Sequence, residues 1–278
     1  MNITNQQFID ALASDNPSKV KEAMLYTLLA PSKQLRAQLL FSVLNDYGVD
    51  QTLGLDAAIA LECIQAYSLI HDDLPSMDND QIRRNQPTNH LVYGEAIALL
   101  AGDGLNTKAF EILAHSNYQP EVKVQLIQVL AQAAGISGMI YGQLIDMLAS
   151  EYVSTYDDVS AMYSYKTGKL FSAAAMMGAI IANKSEDMNR WQNIGEALGL
   201  AFQIQDDLLE ATISETQLGK SKSDQSNDKA TMIKIIGIDK AKQVLNVLFE
   251  DIFEAIGALS GSYDQVIELI TRVKNRDF

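Results

Sequence analysis

The sequence predicts an all-α protein: one domain over residues 1–278, with about ten or more helices around a central cavity. Apolar residues recur at three- and four-residue spacing along nearly the whole chain, the period of an amphipathic helix. No stretch gives a strong strand signal, and no repeat or linker interrupts the pattern. Two acidic clusters, around Asp72 and Asp206, lie too far apart in sequence to meet by local structure. Only the fold can set them across a cavity.

The elements follow in order. Phe8, Ile9 and Leu12 mark a short helix, Asn16, Pro17 and Ser18 punctuate, and Val20, Met24, Leu25 and Leu28 mark a second. After Pro31 and Ser32 a third helix runs from Lys33 to Tyr47, ended by Gly48. The central helix extends from about Leu55 to about Leu74. Pro75 cannot sit inside it, and the residue before a proline is pushed off the α region. A polar loop then carries Arg83 and Arg84. A helix follows from His90 to about Ser116, and Pro120 opens the next at a first helical position. Gly135 to Gly138 only kink the path before a helix over Met139 to Ala149. Ser154 to Asp157 cap a long helix through Ala182. Another starts at Ser185 or Glu186 and reaches about Ala211. Residues 212–228 carry almost no apolar side chains and read as a long flexible segment. Two or three helices close the chain, with breaks near Gly257 and Gly261.

Charge narrows the function. The formal net charge is −14, which argues against nucleic acid or an anionic membrane as the main partner. An anionic substrate then needs a local cationic pocket, so each clustered Lys or Arg is informative. Cys63 is the only cysteine, which rules out an intramolecular disulfide and suits a reducing compartment. The reading finds no N-terminal signal and no apolar run of membrane-spanning length. The expectation is a soluble, cytoplasmic protein.

The acidic clusters point to chemistry. Asp72, Asp73, Asp78 and Asp80 fall within nine positions, and Arg83 and Arg84 follow them. Asp72 and Asp73 occupy the last turn of the central helix, where the macrodipole disfavours anions. Asp78 does not share a straight helix face with Asp72, but a turn at Pro75 can fold it back beside Asp72. Two carboxylates about 4 Å apart repel by about 4 kcal/mol at an effective dielectric of about 20. A hard cation such as Mg²⁺ offsets that cost, because it takes oxygen ligands and shares its shell with substrate phosphates. In the second cluster Asp206 and Glu210 stand four apart on one helix face, again as like charges. Either pair by itself reads as a solvated turn. Their setting in apolar, helix-forming sequence argues for a site.

At these residues a family is legible. His71 to Asp78 with Arg83 and Arg84 resembles the first aspartate-rich motif of trans-polyprenyl diphosphate synthases, and Phe202 to Glu210 resembles the second. The likeness is greatest to the bacterial farnesyl diphosphate synthase (geranyltranstransferase) group and extends over nearly the whole chain. It implies the isoprenoid synthase fold, usually a homodimer. It also implies a prenyltransferase that ionises an allylic diphosphate and condenses it with the homoallylic isopentenyl diphosphate. By resemblance, Asp72, Asp78 and Asp206, assisted by Asp73 and Glu210, hold three Mg²⁺ ions, with Mn²⁺ as a substitute. Glu210 stands where Asp is usual and reaches metal through water.

The resemblance carries over further residues. Lys33 and Arg36 read as sharing a helix face near its N-terminus, which favours anions. The family has Gly-Gly-Lys-Arg-x-Arg here, and its Lys and last Arg bind isopentenyl diphosphate. This chain has Pro31, Ser32, Lys33, Gln34, Leu35 and Arg36, so both glycines and the first Arg are lost. Gln65 replaces a family His against the same diphosphate, and an amide donates a hydrogen bond without charge. Asn85 replaces a Gly. Arg83 matches a contact to the allylic diphosphate and Arg84 one to the homoallylic diphosphate, a task suited to planar guanidinium. Lys166, Thr167 and Gly168 match a Lys-Thr-Gly: Lys for diphosphate, Thr toward the developing cation. Gln143, Asp146 and Gln203 match polar residues of the same cavity. Lys220 and Lys229 match lysines that close over the diphosphate, although composition by itself reads them as solvated.

Tyr67, five residues before Asp72, reads as the floor of an apolar tunnel, although an ordinary core aromatic fits as well. In the family an aromatic here goes with a short C15 product. His71 reads as ordering the acids. Neither a His metal spacing nor a Ser, Cys and His triad is legible. The reading is a Mg²⁺-dependent synthase of farnesyl diphosphate. A geranylgeranyl or other short-chain synthase, a terpene cyclase-like enzyme and a non-catalytic synthase subunit are the alternatives.

Overall fold

The computed structural model describes residues 1–212 and 230–276. Helix α1 (Asn5–Ala11) opens with a Thr4–Gln7 capping box, and α2 (Lys19–Leu28) is capped by Ser18. Helix α3 (Leu35–Asp46) begins later than its sequence predicts, so Lys33 lies outside it. Gln34 takes the cap position with φ 47°, a left-handed conformation uncommon outside glycine. Its amide braces that turn against the N-terminal segment. The oxygen accepts the Ile3 N–H at 2.7 Å and the nitrogen donates to the Ile3 carbonyl at 3.0 Å.

Helix α4 (Leu55–Asp72) is the buried centre, packed against α3 and the later helix α6 (Glu95–His115). Asp73 caps it, and the Asp78 N–H donates to the Asp72 carbonyl at 2.9 Å. The turn after Pro75 folds Asp78 back on Asp72, as a helix broken by that proline allows.

Next comes a hairpin that the sequence did not announce. Strand β1 (Ile82–Arg83) pairs antiparallel with β2 (Gln86–Pro87), Ile82 opposite Pro87 and Arg83 opposite Gln86. Strands this short have no readable alternation. Arg84 and Asn85 form the loop with φ of 55° and 61°, as a two-residue turn matched to strand twist requires. Asparagine tolerates that conformation readily, whereas arginine adopts it rarely.

Several boundaries differ from expectation. Gly94, at φ 85°, splits the helix expected from His90 into α5 (Asn89–Tyr93) and α6. Helix α7 (Pro120–Ala134) ends at Gly135, and residues 135–138 turn the chain, not merely kink it, before α8 (Met139–Met147). A short α9 (Ala149–Tyr152) follows. The helix expected to run unbroken to Ala182 is α10 (Tyr156–Tyr163), a single π turn over Ser164–Gly168, and α11 (Lys169–Ile181). Helix α12 (Met188–Thr212) carries the second acidic cluster. Helices α13 (Met232–Ile236), α14 (Ile238–Gly257) and α15 (Asp264–Lys274) complete the described chain.

Helix α11 packs against α3, α7 and α12 and is buried along most of its length. A smaller apolar cluster with Met162, Ile204 and Met232 joins α10, α12 and α13. By length and composition two segments are apolar enough to cross a membrane, Gln51–Asp72 and Pro120–Met147. The first is 67% buried in the fold, as a core helix is, and the turn at residues 135–138 interrupts the second.

Candidate active site

A cavity of about 360 Å³ opens between α3, α4, the arginine hairpin, α8, the π turn and α12. Glu62, Gln65, Leu69 and Asp72 follow one another at three- and four-residue steps and line it from one face of α4. Gln203 and Asp206, three apart on α12, line it from another wall. The two acidic clusters do meet across a cavity.

At the acidic end, Asp72 and Asp78 both border the space, and the Gln143 amide donates to the Asp72 carboxylate. Lys166 donates to Asp146 at 2.6 Å. Burial works against its ammonium, yet Asp146, Asp72 and Asp78 together hold its pKa above the ordinary lysine value. The Thr167 hydroxyl donates to the Gln203 side-chain oxygen at 3.1 Å. The π turn reaches this place because two glycines let backbones touch. A Cβ on Gly142 would lie 2.2 Å from the Lys166 backbone nitrogen, and one on Gly199 2.3 Å from the Gly168 Cα. π turns of this kind recur at functional sites.

Asp73 behaves differently from its neighbour. It is buried, accepts from Arg83 Nε at 2.6 Å and does not line the cavity. Arg83 Nη2 also reaches Asp80 at 3.1 Å. Burial pushes the Asp73 carboxyl up to about 7, with Arg83 opposing. Consecutive helix positions point about 100° apart, so Asp73 turns from the cavity and secures Arg83 where the sequence reading had it assist a metal.

The cationic end collects Lys33, Arg36 and Arg84. Arg36 lies over the Phe171 ring at 4.5 Å, and burial lowers its pKa to about 10 with Glu62 acting against that. Phe171 tilts against Phe202, centroids 5.6 Å apart, and Arg276 covers the far ring at 4.0 Å. Two guanidiniums thus bracket one aromatic pair. Arg276 also donates to Gln205 at 2.8 Å, to the Phe202 carbonyl at 3.1 Å and to the Asp206 carboxylate. Arg84 Nη1 donates to the Thr27 carbonyl at 3.3 Å, so α2 holds the hairpin loop in place.

Other expectations need correction. Tyr67 is buried edge-on to His71, ring centroids 5.7 Å apart, and is not among the residues that line the cavity. His71 Nε2 is hydrogen-bonded to the Leu99 carbonyl oxygen at 3.0 Å, so it ties α4 to α6 and does not order the acids. Glu210 is buried one turn beyond Asp206 and does not line the space. Its neighbour Asp207 accepts from the Tyr163 hydroxyl at 2.6 Å and the Met232 N–H at 2.9 Å, joining α12 to α10 and α13. Lys220 and Lys229 lie outside the described residues. Sequence reasoning missed Arg276 and Phe171, for which no motif speaks. It also gave Glu62 no role, although the Glu62 and Gln65 spacing could have placed it.

Among the described residues no group of three or more His, Cys, Asp or Glu stands close enough together to hold a metal ion by itself. Mg²⁺ does not demand one, since it keeps waters and takes one or two carboxylates plus substrate phosphates. Asp72, Asp78 and Asp206 are hard oxygen donors opening on one space, and that donor set fits such an ion shared with a diphosphate.

Comparison with known proteins agrees. The polyprenyl synthetase family model matches residues 17–270. The chain is 39% identical over 280 residues to farnesyl diphosphate synthase of Bacillus subtilis, covering 99% of this chain and 95% of that one. It is 37% identical to geranylgeranyl pyrophosphate synthase 7 of Arabidopsis thaliana, over 94% of this chain and 77% of the relative. A solved geranyltransferase from Helicobacter pylori, complexed with magnesium and isoprenyl diphosphate, superposes with TM-score 0.84 at 30% identity. That match covers 99% of this chain and 98% of the other.

Proposed function

The chain belongs to the polyprenyl synthetase family of short-chain prenyltransferases, and we propose that it makes farnesyl diphosphate, C15, from isopentenyl diphosphate and dimethylallyl or geranyl diphosphate. Its fold is the isoprenoid synthase fold. One observation carries the reading. A single cavity holds Asp72, Asp78 and Asp206 together with Lys33, Arg36 and Arg84, so two diphosphates find two differently built half-sites.

The residues divide the work. Asp72, Asp78 and Asp206 would hold Mg²⁺, three ions by family resemblance, which supplies charge neutralisation to the leaving diphosphate. Arg83, fixed by Asp73 and Asp80, binds the allylic diphosphate, and Lys166 is kept charged by Asp146 for the same anion. Fixed cations meet the charge that grows as the C–O bond breaks, with no reorganisation at the moment of reaction. Thr167 and Gln203 offer oxygen lone pairs to the allylic cation. Lys33, Arg36 and Arg84 hold isopentenyl diphosphate so that its double bond attacks that cation. The released diphosphate takes the proton, and no side-chain base is required.

The C15 product rests on the family resemblance at Tyr67, whose buried ring lies five residues before Asp72 and packs on His71 without lining the cavity. Leu91, Val92, Leu99 and Leu100 are exposed on α5 and α6, and a second copy would cover them in a homodimer. We read the chain as one polyprenyl synthase domain acting in the cytoplasm.

The test is a product assay with Mg²⁺, isopentenyl diphosphate and either allylic diphosphate, with chromatography of the dephosphorylated products. A C15 alcohol is expected. C20 or longer keeps the reaction and overturns the chain length. Hydrocarbon from geranyl diphosphate without elongation makes the protein a cyclase, and no turnover of either substrate makes it a non-catalytic subunit.

A further inference from the structure

Glu62 is the cavity carboxylate that the transfer scheme leaves without a task. It is 6% exposed and stands about ten residues, or ~15 Å along α4, from Asp72. That is too far to share a metal bound there. A negative charge beside a diphosphate opposes the ligand unless it serves something else, and a buried carboxylate is costly unless partnered.

Its surroundings indicate the service. Glu62 Oε1 accepts the Ala37 N–H at 3.3 Å. That bond fastens it to the residue after Arg36 and satisfies an α3 terminal N–H that the Gln34 side chain leaves uncapped. Arg36 and Arg84 line the same cavity as Glu62. One lies flat over Phe171 and the other is tied to the Thr27 carbonyl. Two guanidiniums brought together resist one another. Burial lowers the pKa of both, Arg84 lowers that of Arg36 further, and Glu62 acts against the shift in each. Lys33 stays exposed beside them, while Gln34 and Gln65 bring no charge.

We propose that Glu62 is a positioning residue, an internal anion that holds the Arg36 and Arg84 guanidiniums together so that both reach one diphosphate. This rests on the reading of that end of the cavity as the isopentenyl diphosphate half-site. With the arginine and histidine of the family pattern absent, the half-site depends on how few cations are aimed.

The test is calorimetric titration of isopentenyl diphosphate into metal-free protein with EDTA present, alongside the product assay. Glu62→Gln keeps the side-chain volume and an acceptor for the Ala37 N–H while removing the charge. Its Kd is expected to rise about tenfold, with partial rescue in Glu62→Asp. In the Arg36→Gln background, adding Glu62→Gln is expected to cost much less, because the residue acts through that arginine. A Kd equal to or below wild type in a Glu62→Gln variant of unchanged thermal midpoint overturns the proposal, as does additivity in the double variant. If Glu62→Gln does not fold, full affinity in Glu62→Asp overturns it instead. Wild-type binding without prenyl transfer removes the transferase reading and leaves the positioning role. Failure of wild type to bind removes both.

Discussion

The Arg276 guanidinium rests on the Asp206 carboxylate, 70 residues away in sequence, with Nε bonded to Gln205 at 2.8 Å. A metal held by Asp206 must share that carboxylate with Arg276 or displace it. Arg276→Gln removes the competing charge. The Mn²⁺ concentration at half-saturation, followed by the paramagnetic signal of the free ion with diphosphate present, is expected to fall about fivefold. That is the ~1 kcal/mol of a partly buried ion pair. An unchanged or weaker midpoint would show that the pair does not compete.

Arg83 neutralises two carboxylates at once, Asp73 at 2.6 Å and Asp80 at 3.1 Å, both buried. Arg83→Gln leaves them without that cation. The expected cost is about 3 kcal/mol, or a Tm lowered by about 10 °C in calorimetry, together with loss of prenyl transfer. A variant that is inactive at the wild-type Tm would mean that Arg83 serves the substrate without supporting the fold.

Tyr67 packs its buried ring against His71. Tyr67→Ala opens space one turn before Asp72, at a cost of about 3 kcal/mol for the lost packing. C20 product is expected to appear beside C15 in the chromatogram. Unchanged C15 in a folded variant would place the length limit elsewhere.

Cys63 is fully buried on α4, and burial pushes its thiol up to about 12. A thiol reagent at pH 8 should leave the native protein untouched and label it once urea unfolds it. As pH rises above the unfolded thiol's value, the unfolded chain loses a proton that the folded chain keeps. Cys63 therefore makes stability fall, by at most about 1.4 kcal/mol per pH unit, between the two pKa values and not below them. Rapid native labelling at pH 8 would contradict the burial.

Local rules carried much of this far. Helix starts near Ser18, Pro120 and Thr155 were readable because caps and helix period act over a few residues. The return of Asp78 toward Asp72 was open to the same reading, since Pro75 ends the helix and permits a turn. The arginine hairpin and the π turn were not, because each depends on packing from a distant element. Thr27 on α2 holds the Arg84 loop, and Gly142 and Gly199 admit the Lys166 backbone.

For the site, the sequence by itself determined which residues could bind metal and diphosphate, since residue type sets charge and donor chemistry. Tertiary structure decided which way each points. Asp72 and Asp73 are adjacent and chemically identical, yet one borders the cavity and the other is buried against Arg83. Arg276 became a cavity residue only when the end of the described chain closed on α12. A helix presents successive side chains about 100° apart, and only the elements packed around it decide which of those directions is the active site.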